Sequence, residues 1–176
     1  MSTSATSPSF SINADGLLIG RTVGVCLLLD LLYRITCWMT GAPYYSPAFE
    51  RTMEQIGPIP FALLAVTVGP VQETLVFQAV PVALIHRVFE KSRHAALATS
   101  ALLFGAAHLI YGWQYGLFGV LGGVVFCSAY LARERQPIRA IAVVSLAHAV
   151  NNLFFVLVAV HDGKLPLAAA LRGPTA

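Results

Sequence analysis

The sequence predicts an all-α fold: a polytopic membrane bundle of about five transmembrane helices, with a kinked second span. The 176 residues are 57% hydrophobic and 11% charged, and their mean hydropathy is +0.72, values typical of membrane proteins. The charges cluster between apolar runs of about twenty residues, the helix length that crosses a ~30 Å hydrocarbon core. These runs lack an alternating pattern of period two, so helices rather than a barrel would satisfy the backbone in lipid.

The apolar runs predict spans at 16–38, 58–87, 94–112, 115–132 and 138–160. Residues 1–15 are polar and Ser-rich, which predicts a disordered tail. Residues 16–160 would form a single membrane-embedded domain, followed by a short C-terminal tail at 161–176. The first run is too long for a secretory signal and carries Asp30 and Arg34, whose spacing predicts a local ion pair.

The segment between the first two spans, residues 39–57, predicts a short amphipathic helix lying on the membrane. The second span contains Pro70 and Pro81, and this pattern predicts a kinked or broken helix. In the fourth span, Gly119 and Gly123 have the spacing of a helix-packing pair. A similar pair in the first span, at positions 20 and 24, predicts close approach of a neighbouring helix.

Basic residues are divided unevenly between the two sides of the predicted bundle. The connections after the second and fourth spans contain Arg87, Lys91, Arg93, Arg133, Arg135 and Arg139, whereas the opposite side contains Arg51, Lys164 and Arg172. The positive-inside rule then favours an N-in, C-out topology. Because the basic residues are not gathered with aromatic spacing, nothing supports nucleic-acid binding.

A few polar side chains interrupt the spans. The stretch "GPVQETLVFQAVPVAL", residues 69–84, contains one charged residue, Glu73, and a carboxylate in hydrocarbon costs about 2.5–3.5 kcal/mol on insertion scales. The third span contains His108, and the fifth contains His148 and Asn152 on one helix face. Each alone could merely form an interhelical hydrogen bond. Together, on three spans, they predict a functional site.

Two chemistries fit this set of side chains. A glutamate kept from bulk water could take a proton from a water molecule held by His108, while His148 and Asn152 donate hydrogen bonds to a developing oxyanion. Alternatively, Glu73 and the two histidines could bind zinc and leave one position open for water.

The order of three motifs resembles the CAAX-protease and bacteriocin-processing family of intramembrane peptidases, also called the Abi or Rce1-like family. Its pattern is Glu-Glu-x-x-x-Arg, then Phe-x-x-x-His, then His-x-x-x-Asn. The matching segments here are "ETLVFQ" (73–78), "FGAAH" (104–108) and "HAVNN" (148–152), and the resemblance covers about residues 58–160. It implies a helical bundle enclosing a cavity that admits a peptide or a membrane-protein substrate.

The resemblance implies a role for each matching residue. Glu73 takes the place of the general base of a glutamate-type peptidase, His108 that of its water-positioning partner, and His148 with Asn152 that of an oxyanion-stabilising pair. Phe104 begins the second motif, and Asn151 neighbours the asparagine of the third. We expect no cofactor, with zinc at Glu73 and the two histidines as the alternative.

The first motif departs from the family pattern at two positions. Thr74 stands where a second glutamate is usual, and Gln78 where arginine is usual. The usual residues could form an ion pair four residues apart, so the paired exchange would remove two charges without leaving either unpaired. The exchange puts the family's usual substrate recognition in question. A short, outward-facing form resembles the bacterial myxosortase-like peptidases, which process sorting tags on exported proteins, and this resemblance implies an integral protein of a bacterial inner membrane.

Two other functions are compatible with the sequence. A non-catalytic binding or immunity relative of the same fold would explain the altered first motif. A small proton-coupled transporter would also place glutamate and histidine inside spans, although the chain has no evident inverted repeat. The sequence leaves the oligomeric state open.

Overall fold

The fold is built from helices that follow the predicted spans. The computed structural model describes residues 12–89 and 92–172, and these two ranges contain no β-strand. The α-helices are α1 Ile12–Thr40, α2 Pro47–Ile56, α3 Pro58–Val66, α4 Val68–Thr74, α5 Val80–Val88, α6 Arg93–His108, α7 Trp113–Leu131, α8 Pro137–His161 and α9 Leu167–Arg172. A π-helical turn, Leu75–Ala79, joins α4 to α5, and a 3-10 turn, Leu109–Tyr111, follows α6.

Five helical stretches are long and apolar enough to cross a membrane, which confirms the predicted polytopic bundle. They are Asn13–Thr40, Val68–Val88, Arg93–Tyr111, Trp113–Leu131 and Pro137–His161. Four agree closely with the predicted spans. The second was predicted from residue 58 but begins at Val68, because α3 is separated from it by a break in the helix.

The first helix begins earlier than the sequence predicts. Residues 12–15, predicted as the end of a disordered tail, belong to α1. The carboxylate of Asp15 in the first turn lies 2.9 Å from Arg133 Nε and 2.6 Å from Arg139 Nε, and a carboxylate at a helix N-terminus also complements the helix dipole. The rest of the predicted tail, residues 1–11, lies outside the described residues. At the other end, α8 extends to His161, and α9 lies within the predicted C-terminal tail.

The predicted distortion of the second span is confirmed by the break at Thr67 and by the π-helical turn Leu75–Ala79 that precedes Pro81. Thr67 leaves the helical conformation, with φ −122° and ψ −79°, and separates α3 from α4. Farther along, Pro81 has no N–H to give to the carbonyl of Phe77 in the preceding turn. The Ser100 hydroxyl of α6 donates a hydrogen bond to that carbonyl. The freed backbone group is thus satisfied by a neighbouring helix, as a broken span in lipid requires.

Helices α6 and α7 pack closely through small residues. A Cβ atom added at Gly119 would lie 3.1 Å from both Gly105 Cα and His108 Cβ, and one added at Gly123 would lie 2.8 Å from Ala101 Cα. The predicted packing pair of the fourth span is therefore confirmed. The same prediction for Gly20 and Gly24 is wrong within this chain, because a Cβ at either position would meet no atom within 4 Å.

Helix α2 confirms the short helix predicted between the first two spans. Its N-cap, Ser46, accepts a hydrogen bond from the Phe49 backbone N–H at 3.0 Å. The Phe49 ring is 5% exposed and packs edge-on against Phe61 of α3 and Phe155 of α8. This aromatic cluster holds α2 and α3 beside the C-terminal half of α8, next to the predicted site.

Candidate active site

The site is centred on Glu73 in α4 and His148 in α8. Glu73 Oε2 lies 3.6 Å from His148 Nε2, and the histidine side chain is 6% exposed. This separation is slightly longer than a hydrogen bond, and Glu73 Oε2 and His148 Nδ1 have no hydrogen-bond partner among the described residues. Catalytic contacts are often this loose without substrate and tighten when it binds.

His108, at the C-terminal end of α6, is oriented by its own helix. Its Nδ1 atom lies 2.8 Å from the carbonyl oxygen of Phe104. A ring nitrogen at this distance from a carbonyl donates its hydrogen, which leaves the Nε2 lone pair of the neutral ring as an acceptor. The side chain can therefore accept a hydrogen bond from a water molecule or a substrate N–H.

Aromatic rings fix the orientation of both imidazoles. The Phe104 ring lies with its centroid 4.4 Å from that of His108 and 5.9 Å from that of His148. On another side of His148, Phe126 stacks with a centroid distance of 4.4 Å and an interplanar angle of 24°. Phe104, the phenylalanine of the second motif, therefore lies between the two histidines, and it is only 4% exposed.

Asn152 connects the site to the broken second span. Its Nδ2 atom donates a hydrogen bond to the carbonyl oxygen of Ala65 in α3, at 2.9 Å. An amide has two N–H donors, so the second is left for another partner. The sequence indicated an oxyanion donor here, and the structure adds a role in holding α3 against α8. Asn151, the neighbouring motif residue, is partly buried beside it.

Two adjoining cavities bring the predicted site residues together. One, of about 390 Å³, is lined by Glu73, His108, Asn151 and Asn152. The other, of about 170 Å³, shares three of these residues and adds Phe104 and His148. The four predicted catalytic side chains, supplied by three helices, therefore line two cavities that share His108, Asn151 and Asn152.

Thr74 and Gln78 lie away from this space. Both are fully buried, and neither lines either cavity. Thr74 Oγ1 and both amide atoms of Gln78 have no hydrogen-bond partner among the described residues. The departure from the family motif is therefore a change in the protein core behind Glu73 rather than in the cavity wall.

The sequence did not predict that Asp30 lies in the lining of both cavities. The predicted pair with Arg34 is confirmed at 3.0 Å, but Asp30 also accepts a hydrogen bond from the Tyr44 hydroxyl at 2.7 Å and lines both cavities. A second tyrosine nearby makes a similar contact: the Tyr45 hydroxyl donates a hydrogen bond to Asp162 at 2.7 Å. Burial together with this hydrogen bond raises the pKa of Tyr45 above its ordinary value. An acidic residue in the middle of an apolar span was the signal available for Asp30.

The fit of a metal can be judged from the side chains. In residues 12–89 and 92–172, no three His, Cys, Asp or Glu side chains are grouped closely enough to hold a metal ion. Glu73 lines the larger cavity, His148 the smaller one and His108 both, and zinc binding by these three side chains stays the alternative prediction.

The fold and the site define a polytopic helical membrane protein with a carboxylate, two imidazoles and an amide around an internal cavity. The family model described as Type II CAAX prenyl endopeptidase Rce1-like matches residues 55–154, more than half of the chain. The chain belongs to this family, which confirms the predicted resemblance and implies a protease. No curated protein and no solved structure matches the chain.

The matched region includes all four predicted catalytic residues and leaves out α1 and α9. The narrower likeness to myxosortase-like peptidases stays a prediction.

Proposed function

We propose that this chain is an intramembrane endopeptidase that hydrolyses a peptide bond of a membrane protein or peptide, with Glu73 activating the attacking water. The observation that carries the proposal is the approach of Glu73 to His148, 3.6 Å apart on α4 and α8, where the larger cavity that Glu73 lines adjoins the smaller one that His148 lines. A carboxylate beside an imidazole is suited to general base catalysis.

The reaction assigns a separate task to each side chain. The Glu73 carboxylate takes a proton from a water molecule, whose oxygen attacks the substrate carbonyl carbon, and then delivers that proton to the leaving amine. His108 accepts a hydrogen bond from the water through Nε2. The Nε2–H of His148, on the side of the ring that faces Glu73, and the second N–H of Asn152 donate to the oxyanion, and donors of this kind contribute about 10²- to 10³-fold to rate.

The proposed reaction needs no metal ion. Removing metal with a membrane-permeant chelator should leave the cleavage rate unchanged, and adding zinc should not increase it. A loss of activity with the chelator that zinc restores would instead support metal binding by Glu73, His108 and His148.

We place the cavity on the side of the membrane opposite the basic connections, following the charge asymmetry of the loops. Glu54 is exposed on α2, and Arg135 is exposed at the other end of the bundle. A membrane-impermeant thiol reagent applied to intact cells should label Glu54→Cys and not Arg135→Cys. Labelling with the reverse pattern would place the site on the cytoplasmic side.

The substrate can be identified by comparing the termini of membrane proteins in cells that differ only at Glu73. Cells that express the natural chain would be compared, by mass spectrometry of these termini, with cells that express Glu73→Gln. A new terminus should appear only with the natural chain. Glu54→Gln makes the same chemical change at an exposed position outside the site, so it should preserve that terminus. Termini that persist in Glu73→Gln would refute the assignment of the base.

A non-catalytic binding relative is the second candidate, and the neutral, buried pair Thr74 and Gln78 is the observation that favours it. A binding protein would keep its cellular phenotype in Glu73→Gln and would generate no new terminus. The terminus comparison therefore separates the two functions.

A further inference from the structure

A cavity rich in arginine lies at the end of the bundle away from the proposed active site. It has a volume of about 480 Å³, and its charged lining residues are Arg93, Arg133, Arg135, Arg139 and Glu134. They come from the start of α6, the α7–α8 connection and the first turn of α8. Along α8, nine residues separate Arg139 from His148, or about 13 Å at 1.5 Å per residue. This cavity is therefore distinct from the catalytic one.

Asp15 fixes two of the arginines in place. Its two carboxylate oxygens accept hydrogen bonds from Arg133 Nε and Arg139 Nε. All three side chains are largely buried: Arg133 is 25% exposed, Arg139 14% and Asp15 13%. Arg93 is anchored separately, because its Nη2 donates to the Leu131 carbonyl at 3.0 Å. Among the described residues, the four arginines outnumber the two carboxylates of Asp15 and Glu134, so these residues give the cavity a net positive charge.

An apolar groove continues from this cavity along the side of the bundle. It has a volume of about 760 Å³, runs between α1 and α8, and is lined by Gly16, Ile19, Val143 and Leu146 among others. Arg139 and Gln136 line both the groove and the arginine cavity. The positive cavity and the apolar groove therefore meet at Gln136 and Arg139.

We propose that the cavity and the groove together bind one anionic phospholipid, with its phosphate among the arginines and one acyl chain between α1 and α8. Guanidinium groups bind phosphate oxygens through parallel N–H donors, and basic pockets between transmembrane helices are suited to acidic head groups. The N-terminus of α8 adds a favourable dipole. A zwitterionic lipid carries an ammonium group that the net positive charge disfavours, so the site selects for acidic lipid.

The charge requirement can be tested with the purified full-length chain in micelles that contain equal amounts of dioleoyl phosphatidylglycerol and dioleoyl phosphatidylcholine. Native mass spectrometry should show retention of phosphatidylglycerol in preference to phosphatidylcholine. Arg135→Gln should weaken that retention about fivefold, the effect of one arginine near an anionic head group. Arg87→Gln removes the same charge from a position that does not line the cavity, and should leave retention unchanged. Equal retention of the two lipids, or equal loss in the two variants, would overturn the proposal.

A second pair of variants distinguishes a lipid from a free phosphate ion. Gly16 lines the groove and Gly20 does not, yet a Cβ at either position would meet no atom within 4 Å, so both leucine substitutions should fold. Gly16→Leu should reduce phosphatidylglycerol retention, and Gly20→Leu should not. Inorganic phosphate at millimolar concentration should compete weakly. If phosphate displaces the lipid completely, or if Gly16→Leu and Gly20→Leu behave alike, the site binds a free anion and the lipid assignment is wrong.

Discussion

The close contact between α6 and α7 predicts a position-specific effect of adding one methyl group. At Gly119 a Cβ would lie 3.1 Å from the Cβ of His108 and 3.3 Å from its Cγ, and 3.1 Å from the Cα of Gly105. At Gly122, on the same helix, the nearest atom would be Phe104 Cε1 at 3.8 Å, an ordinary van der Waals distance. Gly119→Ala and Gly122→Ala therefore differ only in the space they require.

The expected difference in stability between the two variants follows from the space around Gly119 and Gly122. Both substitutions gain the same helix propensity, about 1 kcal/mol, which cancels when the variants are compared. Overpacking at Gly119 costs about 1–3 kcal/mol, so Gly119→Ala should be less stable than Gly122→Ala by that amount. The added methyl group would displace His108 by a few tenths of an ångström. A misplacement of 1 Å costs roughly 10²-fold in rate, so this smaller displacement should lower the cleavage rate about fivefold.

The assay is unfolding of the purified chain in mixed micelles by increasing SDS, followed by circular dichroism, together with the cleavage rate of each variant. Gly122→Ala is the control for both measurements. Equal unfolding midpoints for the two variants would refute the packing argument. A normal cleavage rate in a destabilised Gly119→Ala would show that the position of His108 does not limit the reaction.

Three further predictions concern polar groups around the site. Thr74→Glu and Gln78→Arg should each lower the free energy of unfolding by about 3–5 kcal/mol, because each buries an unpaired charge. The double variant should recover much of that loss, because the two charges can pair. Additive losses in a double-mutant cycle would contradict the paired exchange. Asn152→Ala removes a hydrogen bond to the broken second span and should cost about 1–3 kcal/mol as well as reduce the cleavage rate; an unchanged unfolding midpoint would rule out its structural role. Tyr45→Phe loses a hydrogen bond to the Asp162 carboxylate and should cost about 1.5–3 kcal/mol. That loss should disappear when Asp162→Ala, which removes the acceptor, is already present.

The hydropathy of the sequence is sufficient to predict the five spans, because each helix must be apolar over the thickness of the bilayer. The four candidate catalytic residues could be found for a related reason: polar side chains inside spans are rare and costly. The break at Thr67 could not be located, since the apolar sequence continues through it and only the later Pro70 indicates a distortion.

Contacts between distant helices were beyond the reach of sequence patterns. Asp15 was assigned to a tail because its partners, Arg133 and Arg139, lie more than a hundred residues away in the chain. Likewise, the spacing of Gly20 and Gly24 resembles that of Gly119 and Gly123, but only the second pair has a neighbouring helix close to it. Which face of a helix meets another helix depends on the rotation of both helices in the bundle.

The most direct test of the account is the cleavage rate of the purified chain in lipid vesicles, acting on the substrate found from its new terminus. Glu73→Gln preserves the size of the side chain and removes its basicity, so the rate should fall by about 10²- to 10⁴-fold while the unfolding midpoint is unchanged. Glu54→Gln should cleave at the natural rate. Cleavage by Glu73→Gln within a few fold of the natural rate would contradict a mechanism in which Glu73 activates the water.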